Sequence, residues 1–360
     1  MLSGEKLCRI HAECGADYLS TTCGSYPRIA HTVGESQDTA LTLSCPEAAR
    51  LVLLIPDLIY PEERRDSDGL AIDSALEGAR RLQAWFWPIR GAVIALIRNR
   101  SYALWQRLFL LGILCRRLDS IGQGEIERSV PDFLKDFEHA VAAGSLRNAM
   151  EALPFDRESQ LDVVLQLAGM MLHRSQITPR FVDCVHAFTT GIGNGPTATL
   201  KSLTANYSTA YDRYYAPFFS RYPHILENYL INTVVRCEYP FGREVKRDEG
   251  ASKGAAESPT MVSEHAALIA QLALIKGLLI GVAGYYRDEF APVHVVHTVQ
   301  AASRHFEHHP EFLKAARALL VECGMDGAQG MAILLRNRAP MASTPALRDK
   351  RVPIQTRLGA

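Results

Sequence analysis

The chain has 360 residues, 48% of them hydrophobic, enough to bury a substantial core as one large domain or two smaller ones. Lysine plus arginine and aspartate plus glutamate both number 39, so no overall field draws nucleic acid or an anionic membrane surface. Neither partner class is expected.

In chain order, the first feature is a run of cysteines: four of the eight, Cys8, Cys14, Cys23 and Cys45, fall in the first 45 positions. The start shows no basic segment followed by an apolar run and a cleavage site, which points to the cytoplasm, where thiols stay reduced. Cys8 falls on a short helix that Gly15 ends. Cys45 directly precedes Pro46, and proline suits the first turn of a helix through Glu47 to Leu51. That puts Cys45 at a cap, where backbone N–H groups and the helix dipole stabilise a thiolate. Three thiolates brought together hold an iron–sulfur cluster or a zinc ion; the long spacings and the lack of a C-x-x-C leave buried, inert cysteines as the alternative. Cys115, Cys184, Cys237 and Cys323 lie in apolar helical patterns and read as core.

Beyond the cysteines, apolar residues recur at helical spacing. Leu104, Leu108, Leu111 and Cys115 form one face of a helix over Ser101 to Leu118, with Ser101 as its cap. Similar patterns cover Pro131 to Ala143, Glu158 to Leu172, Thr178 to Phe188, Thr197 to Phe219, His224 to Val235, His265 to Tyr286, Val293 to Phe306 and Pro310 to Cys323. Strand-like alternation is nearly absent. The expected fold class is all-α, with a cysteine-rich, irregular region over 1–60, a multi-helix domain over 61–340 and a flexible tail over 341–360. The polar stretch Lys246 to Thr260 reads as a loop. Ala266 to Tyr286 is long enough to span a membrane, but Gln271 and Lys276 interrupt it, which favours a buried core helix.

Two helices carry polar groups within apolar patterns. NYSTAYDRYYAPFF brings Tyr207, Tyr211, Tyr214 and Tyr215 onto neighbouring turns; such a group lines a cation or cofactor pocket, or packs as an amphipathic face. HILENYLINTVVRCEYPFG sets Glu227, Asn228 and Arg236 around an apolar stripe of Leu226, Leu230 and Val234, a sign of either a partner helix or a pocket. His305 and His308 share a helical face, without the carboxylate of an HExxH pattern. There is no P-loop, GxGxxG or GxSxG. The absence of a glycine-rich strand-to-helix turn argues against a Rossmann-type methyltransferase.

Five stretches together resemble the flagellin lysine-N-methylase family: LCRIHAECGADYLSTTCGSYPR, LTLSCPEAARL, RNRSYALWQRLFLLG, ENYLINTVVRCEYPFG and SRHFEHHPEFL. The resemblance implies a bacterial enzyme that methylates surface lysines of flagellin with S-adenosylmethionine, and an iron–sulfur cluster near the N-terminus. It carries Cys8, Cys23 and Cys45 over as cluster ligands. Family members hold a further cysteine cluster upstream of the position matching Cys8, so the chain is expected to be an N-terminally short member. Methyl transfer to an amine needs a neutral lysine, and carboxylates or tyrosines suit the task of freeing it. Asp212, Glu227 and Tyr229 are the candidate catalytic residues in the matching segments, with Asn228 and Tyr211 as candidates for binding the methyl donor. The alternative is a catalytically inactive, truncated homologue that binds flagellin or another partner, and structural zinc on the same cysteines is a further one.

Overall fold

The computed structural model describes residues 8–33, 36–56, 58, 72–73, 80–172, 177–242, 260–307 and 310–337. The loop expected over 246–260, the tail and His308 lie, but for Thr260, outside these.

The N-terminal region is more regular than its sequence suggests. Short helices α1 (Arg9–Cys14) and α2 (Thr21–Ser25) lead into strands β1 (Arg28–Val33) and β2 (Ser36–Leu41). These pair antiparallel, with Arg28 opposite Leu41 and Val33 opposite Ser36; β3 (Ile72–Asp73) adds to β1 in parallel, giving the order β2-β1-β3. Gly15 ends α1 at φ 93°, and Cys45 stands at the N-cap of α3 (Pro46–Leu54), both as expected.

The rest is helical: α4 (Phe86–Arg98), α5 (Leu104–Ser120), α6 (Ile126–Ala143), α7 (Arg147–Glu151), α8 (Arg157–Leu172), α9 (Pro179–Gly191), α10 (Leu200–Ala210), α11 (Ala216–Arg221), α12 (His224–Arg236), α13 (Met261–Tyr286), α14 (Pro292–Phe306), α15 (Pro310–Glu322) and α16 (Ala328–Leu335). Local chemistry sets many boundaries. Thr178 accepts from Phe181 N with Pro179 in the first turn, and Thr260 accepts from Ser263 N. Asp119 reaches across from α5 to accept from Met261 N and Val262 N, an anion at the positive end of α13. One start differs from expectation: Ser101 bonds Asn99 instead of capping, and α5 begins at Leu104, where Gln106 accepts from Ala103 N at 2.8 Å.

Helix α13 is the axis of the fold. Its apolar stretch is long enough to cross a membrane, yet it is wholly buried by the protein, chiefly by α5, α8, α9, α10 and α15. Close approach depends on small residues: a Cβ on Gly281 would lie 2.7 Å from Phe188 O, and one on Gly191 would lie 1.9 Å from Gly281 O. Gln271 bonds back to Ala267 O, and Lys276 Nζ donates to Leu335 O at 2.8 Å, capping the end of α16. The two polar residues that interrupt the apolar run are thus accommodated inside a protein core.

Candidate functional site

The segment read as one helix over Thr197 to Phe219 is interrupted. Helix α10 passes into a π-helical turn, Tyr211–Tyr215, before α11. Pro217 supplies a cause: it has no N–H to offer Arg213 O, so the preceding turn is free to widen. The wider turn stacks Tyr211 on Tyr215 at 5.4 Å between ring centroids and 26° between planes, with Phe219 4.4 Å beyond Tyr215. Under the rings lies the Arg157 guanidinium, 4.3 Å from the Tyr211 centroid and 5.8 Å from that of Tyr207.

Burial pushes the Tyr211 hydroxyl up to about 12, against the lowering influence of Arg157 and with a further rise from Asp212. Tyr207 and Tyr215 are raised by burial too. At neutral pH these residues present ring faces and O–H groups, not phenolates. Asp212 itself is exposed on the turn. A cleft of about 310 Å³ opens on the outer side of α8, lined by Glu158, Ser159, Asp162, Leu200 and Met325 among others.

The other candidates lie on α12, which packs on α3, β2 and α4, whereas the π turn packs on α10, α11 and α13. Glu227 accepts three hydrogen bonds from Arg100 and one from Arg107, at 2.6 to 3.1 Å. A carboxylate so engaged is committed to pinning α12 against α5. Asn228 donates to Ile55 O at 2.8 Å and holds the end of α3. Tyr229 is fully buried, its hydroxyl meets no hydrogen-bond partner among the described residues, and burial raises its pKa. The structure therefore brings Tyr211 and Asp212 together and sets Glu227, Asn228 and Tyr229 in a separate layer.

That layer is a polar seam between the N-terminal hairpin and the helices. Asn232 exchanges two hydrogen bonds with the backbone of Leu41. Asp38 pairs with buried Arg90, and His31 Nδ1 lies 2.7 Å from Glu238 Oε1 while its Nε2 meets Arg236 O. Glu238 holds φ 52°, an uncommon conformation for a non-glycine residue. Glu307 accepts from Thr42 Oγ1 and from the N–H groups of Leu43 and Ser44, and it pairs with Arg236 at 3.4 Å. Burial works against the Arg236 cation, but Cys237 and Glu307 outweigh it and hold the pKa above its ordinary value. The polar residues of HILENYLINTVVRCEYPFG thus face a partner element.

Residues 90–334 match the family model of the FliB lysine N-methylase C-terminal domain. The chain belongs to this family. Among its relatives are the lysine-N-methylases of Salmonella typhimurium and Salmonella choleraesuis, each 25% identical over 195 residues, 51% of this chain and 46% of theirs. The flagellar biosynthetic protein FliU of Salmonella muenchen is 38% identical over 64 residues, 18% of this chain and 38% of its own. The chain spans about half the length of the lysine-N-methylases it matches. No solved structure matches.

In this family member the cysteines stand apart. All eight are among the described residues, and no group of three or more Cys, His, Asp or Glu there lies close enough to hold a metal ion. Cys45 is fixed at α3, which packs on α12 and α14; Cys8 precedes α1, which packs on the turn Ala16–Tyr18, and Cys23 is exposed on α2. Among the described residues, then, Cys8, Cys23 and Cys45 do not form one cluster. His305 is likewise engaged, with Thr178 Oγ1 3.2 Å from its Nε2.

Sequence reasoning missed Arg157. It follows Asp156 in an ordinary helix start, and nothing in the pattern DRESQ marks a buried cation. Only the fold shows the rings above it.

Proposed function

We propose that this chain is a protein lysine N-methyltransferase that acts on flagellin with S-adenosylmethionine as methyl donor. The observation that carries the reading is the match of residues 90–334 to the lysine N-methylase family model. The name of the FliU relative points to the flagellum.

The π turn has the chemistry such a transfer needs. An open tyrosine face attracts an onium group, whether the sulfonium of a donor or the ammonium of a target lysine. The lysine must lose a proton before its nitrogen attacks the methyl carbon, and the sulfur leaves with the bonding pair. Asp212, exposed on the turn beside Tyr211, is the group we assign to draw the ammonium in and accept that proton. Tyr211, packed between Arg157 and Tyr215, stays neutral because burial raises its pKa, and so it does not act as the base. Glu227, Asn228 and Tyr229, as part of the seam, support the fold around this site. No step is assigned to the cysteines.

The test is incubation of the full chain with monomeric flagellin and isotopically methyl-labelled donor, read by mass spectrometry of lysine residues. Asp212→Asn is expected to slow the reaction by about 100-fold, the lower range for a general base. Flagellin that binds but never gains label would instead favour a non-catalytic binding module.

A further inference from the structure

Arg157 is a buried cation that meets no anion among the described residues. It is 7% exposed, and none of its described contacts is with a carboxylate. Nη1 donates to Gln160 Oε1 at 3.1 Å, and the buried Nε has no hydrogen-bond partner among the described residues. The remaining walls are rings, with Phe155 4.8 Å and Tyr211 4.3 Å from the guanidinium carbon.

One further feature marks a prepared receptor. Gln160 is held from behind, its Nε2 donating to Ile333 O at 2.6 Å and to Arg336 O at 2.8 Å, so its oxygen points at Arg157 and fixes the guanidinium plane. A fixed fork and an unpaired donor together favour a planar anion.

We propose that Arg157 receives a carboxylate, and that this carboxylate is the amino-acid end of the methyl donor. The assignment rests on the methylase reading above and adds the donor's anchor to it. With its carboxylate held at Arg157, the donor has its sulfonium a few bonds further along the same chain, beside the aromatic cluster of the π turn. The same residue then fixes both the position and the direction of the methyl group.

The test is calorimetric binding of S-adenosylhomocysteine and of its decarboxylated analogue to the intact chain and to Arg157→Gln and Arg157→Lys, with each variant's fold checked by circular dichroism. The intact chain is expected to prefer the carboxylate-bearing ligand by about tenfold or more. Arg157→Gln should erase that preference by weakening the carboxylated ligand alone, and Arg157→Lys should keep part of it. Equal binding of the two ligands by the intact chain overturns the inference without any variant, and leaves the methylase reading standing. A full preference retained by Arg157→Gln, or a loss confined to flagellin binding, overturns it as well, the latter placing a flagellin carboxylate there. If the intact chain binds neither ligand, the methylase reading falls and takes this inference with it.

Discussion

Helix α13 and the seam beneath the β1–β2 hairpin are both buried, and they are held in opposite ways. Along α13, Gly277 and Gly281 leave so little room that an added Cβ would lie 2.4 Å from Val164 Cγ1 and from Phe188 Cδ2 respectively. Charge plays little part there, and shape decides. In the seam, Asp38 with Arg90, His31 with Glu238 and Arg236 with Glu307 face one another, and charge matching replaces close fit. A shape contact tolerates nothing larger but ignores its electrostatic surroundings; a matched seam tolerates changes of size but not the loss of one partner.

That contrast is easiest to break in α13. Gly281→Val places three carbons where Phe188 and its carbonyl already stand, and is expected to abolish native folding, visible as loss of the cooperative melting transition. Next is Glu307→Gln, which leaves buried Arg236 without its anion and should cost about 3 to 5 kcal/mol in urea unfolding. The paired change Arg90→Met with Asp38→Leu sharpens the point. If charge matching in the seam is replaceable by packing, the double variant should recover most of the stability that Asp38→Leu alone removes.

A smaller effect distinguishes the regions by pH. Between α5 and α13, His265 Nδ1 lies 2.8 Å from Tyr239 Oη, which lies 3.2 Å from Cys115 Sγ, in a fully buried chain. Burial lowers His265 to about 3 and raises Cys115 to about 12. Above pH 6.5 the imidazole is neutral in both folded and unfolded chains; below it the unfolded chain takes the proton first. Stability should therefore fall by about 1.4 kcal/mol per pH unit from pH 6.5 down towards 3. The thiol acts in mirror image: from pH 9 towards 12 the unfolded chain ionises first, and stability falls again. Urea midpoints across pH 4 to 7 check the acid limb, and His265→Asn should flatten it. At the small end, Glu47→Ala removes an exposed pair with Arg50 and should leave the midpoint unchanged.

The same contrast explains what could be read from sequence. α8, α9, α12, α14 and α15 lie within a few residues of where apolar periodicity put them, because a helix packed on one face leaves that signature. The hairpin did not declare itself: β1 buries His31 and Val33 on one face and Ala30 on the other, so a polar residue shares a buried face and hydrophobic alternation is lost. Helix α4 also escaped, its polar marker Arg90 being buried against Asp38. For the site, the tyrosine spacing was visible, and so was Asp212. The π turn was not, since its widening depends on Pro217 acting backward on a carbonyl. Glu227, Asn228 and Tyr229 looked like pocket residues because a buried polar group carries the same sequence pattern whether it meets a ligand or a neighbouring element.

The π turn also makes chain length matter at one point. A π turn is an α-helix carrying one additional residue, and each residue in an α-helix advances the face by about 100°. Deleting a single position within Tyr211–Tyr215 would restore regular winding and swing α11 round by that angle, unstacking Tyr211 from Tyr215 and carrying Phe219 away from both. Between relatives, a gain or loss of one residue here would therefore exchange which aromatic side chains share a wall, a change of specificity made without altering any of them.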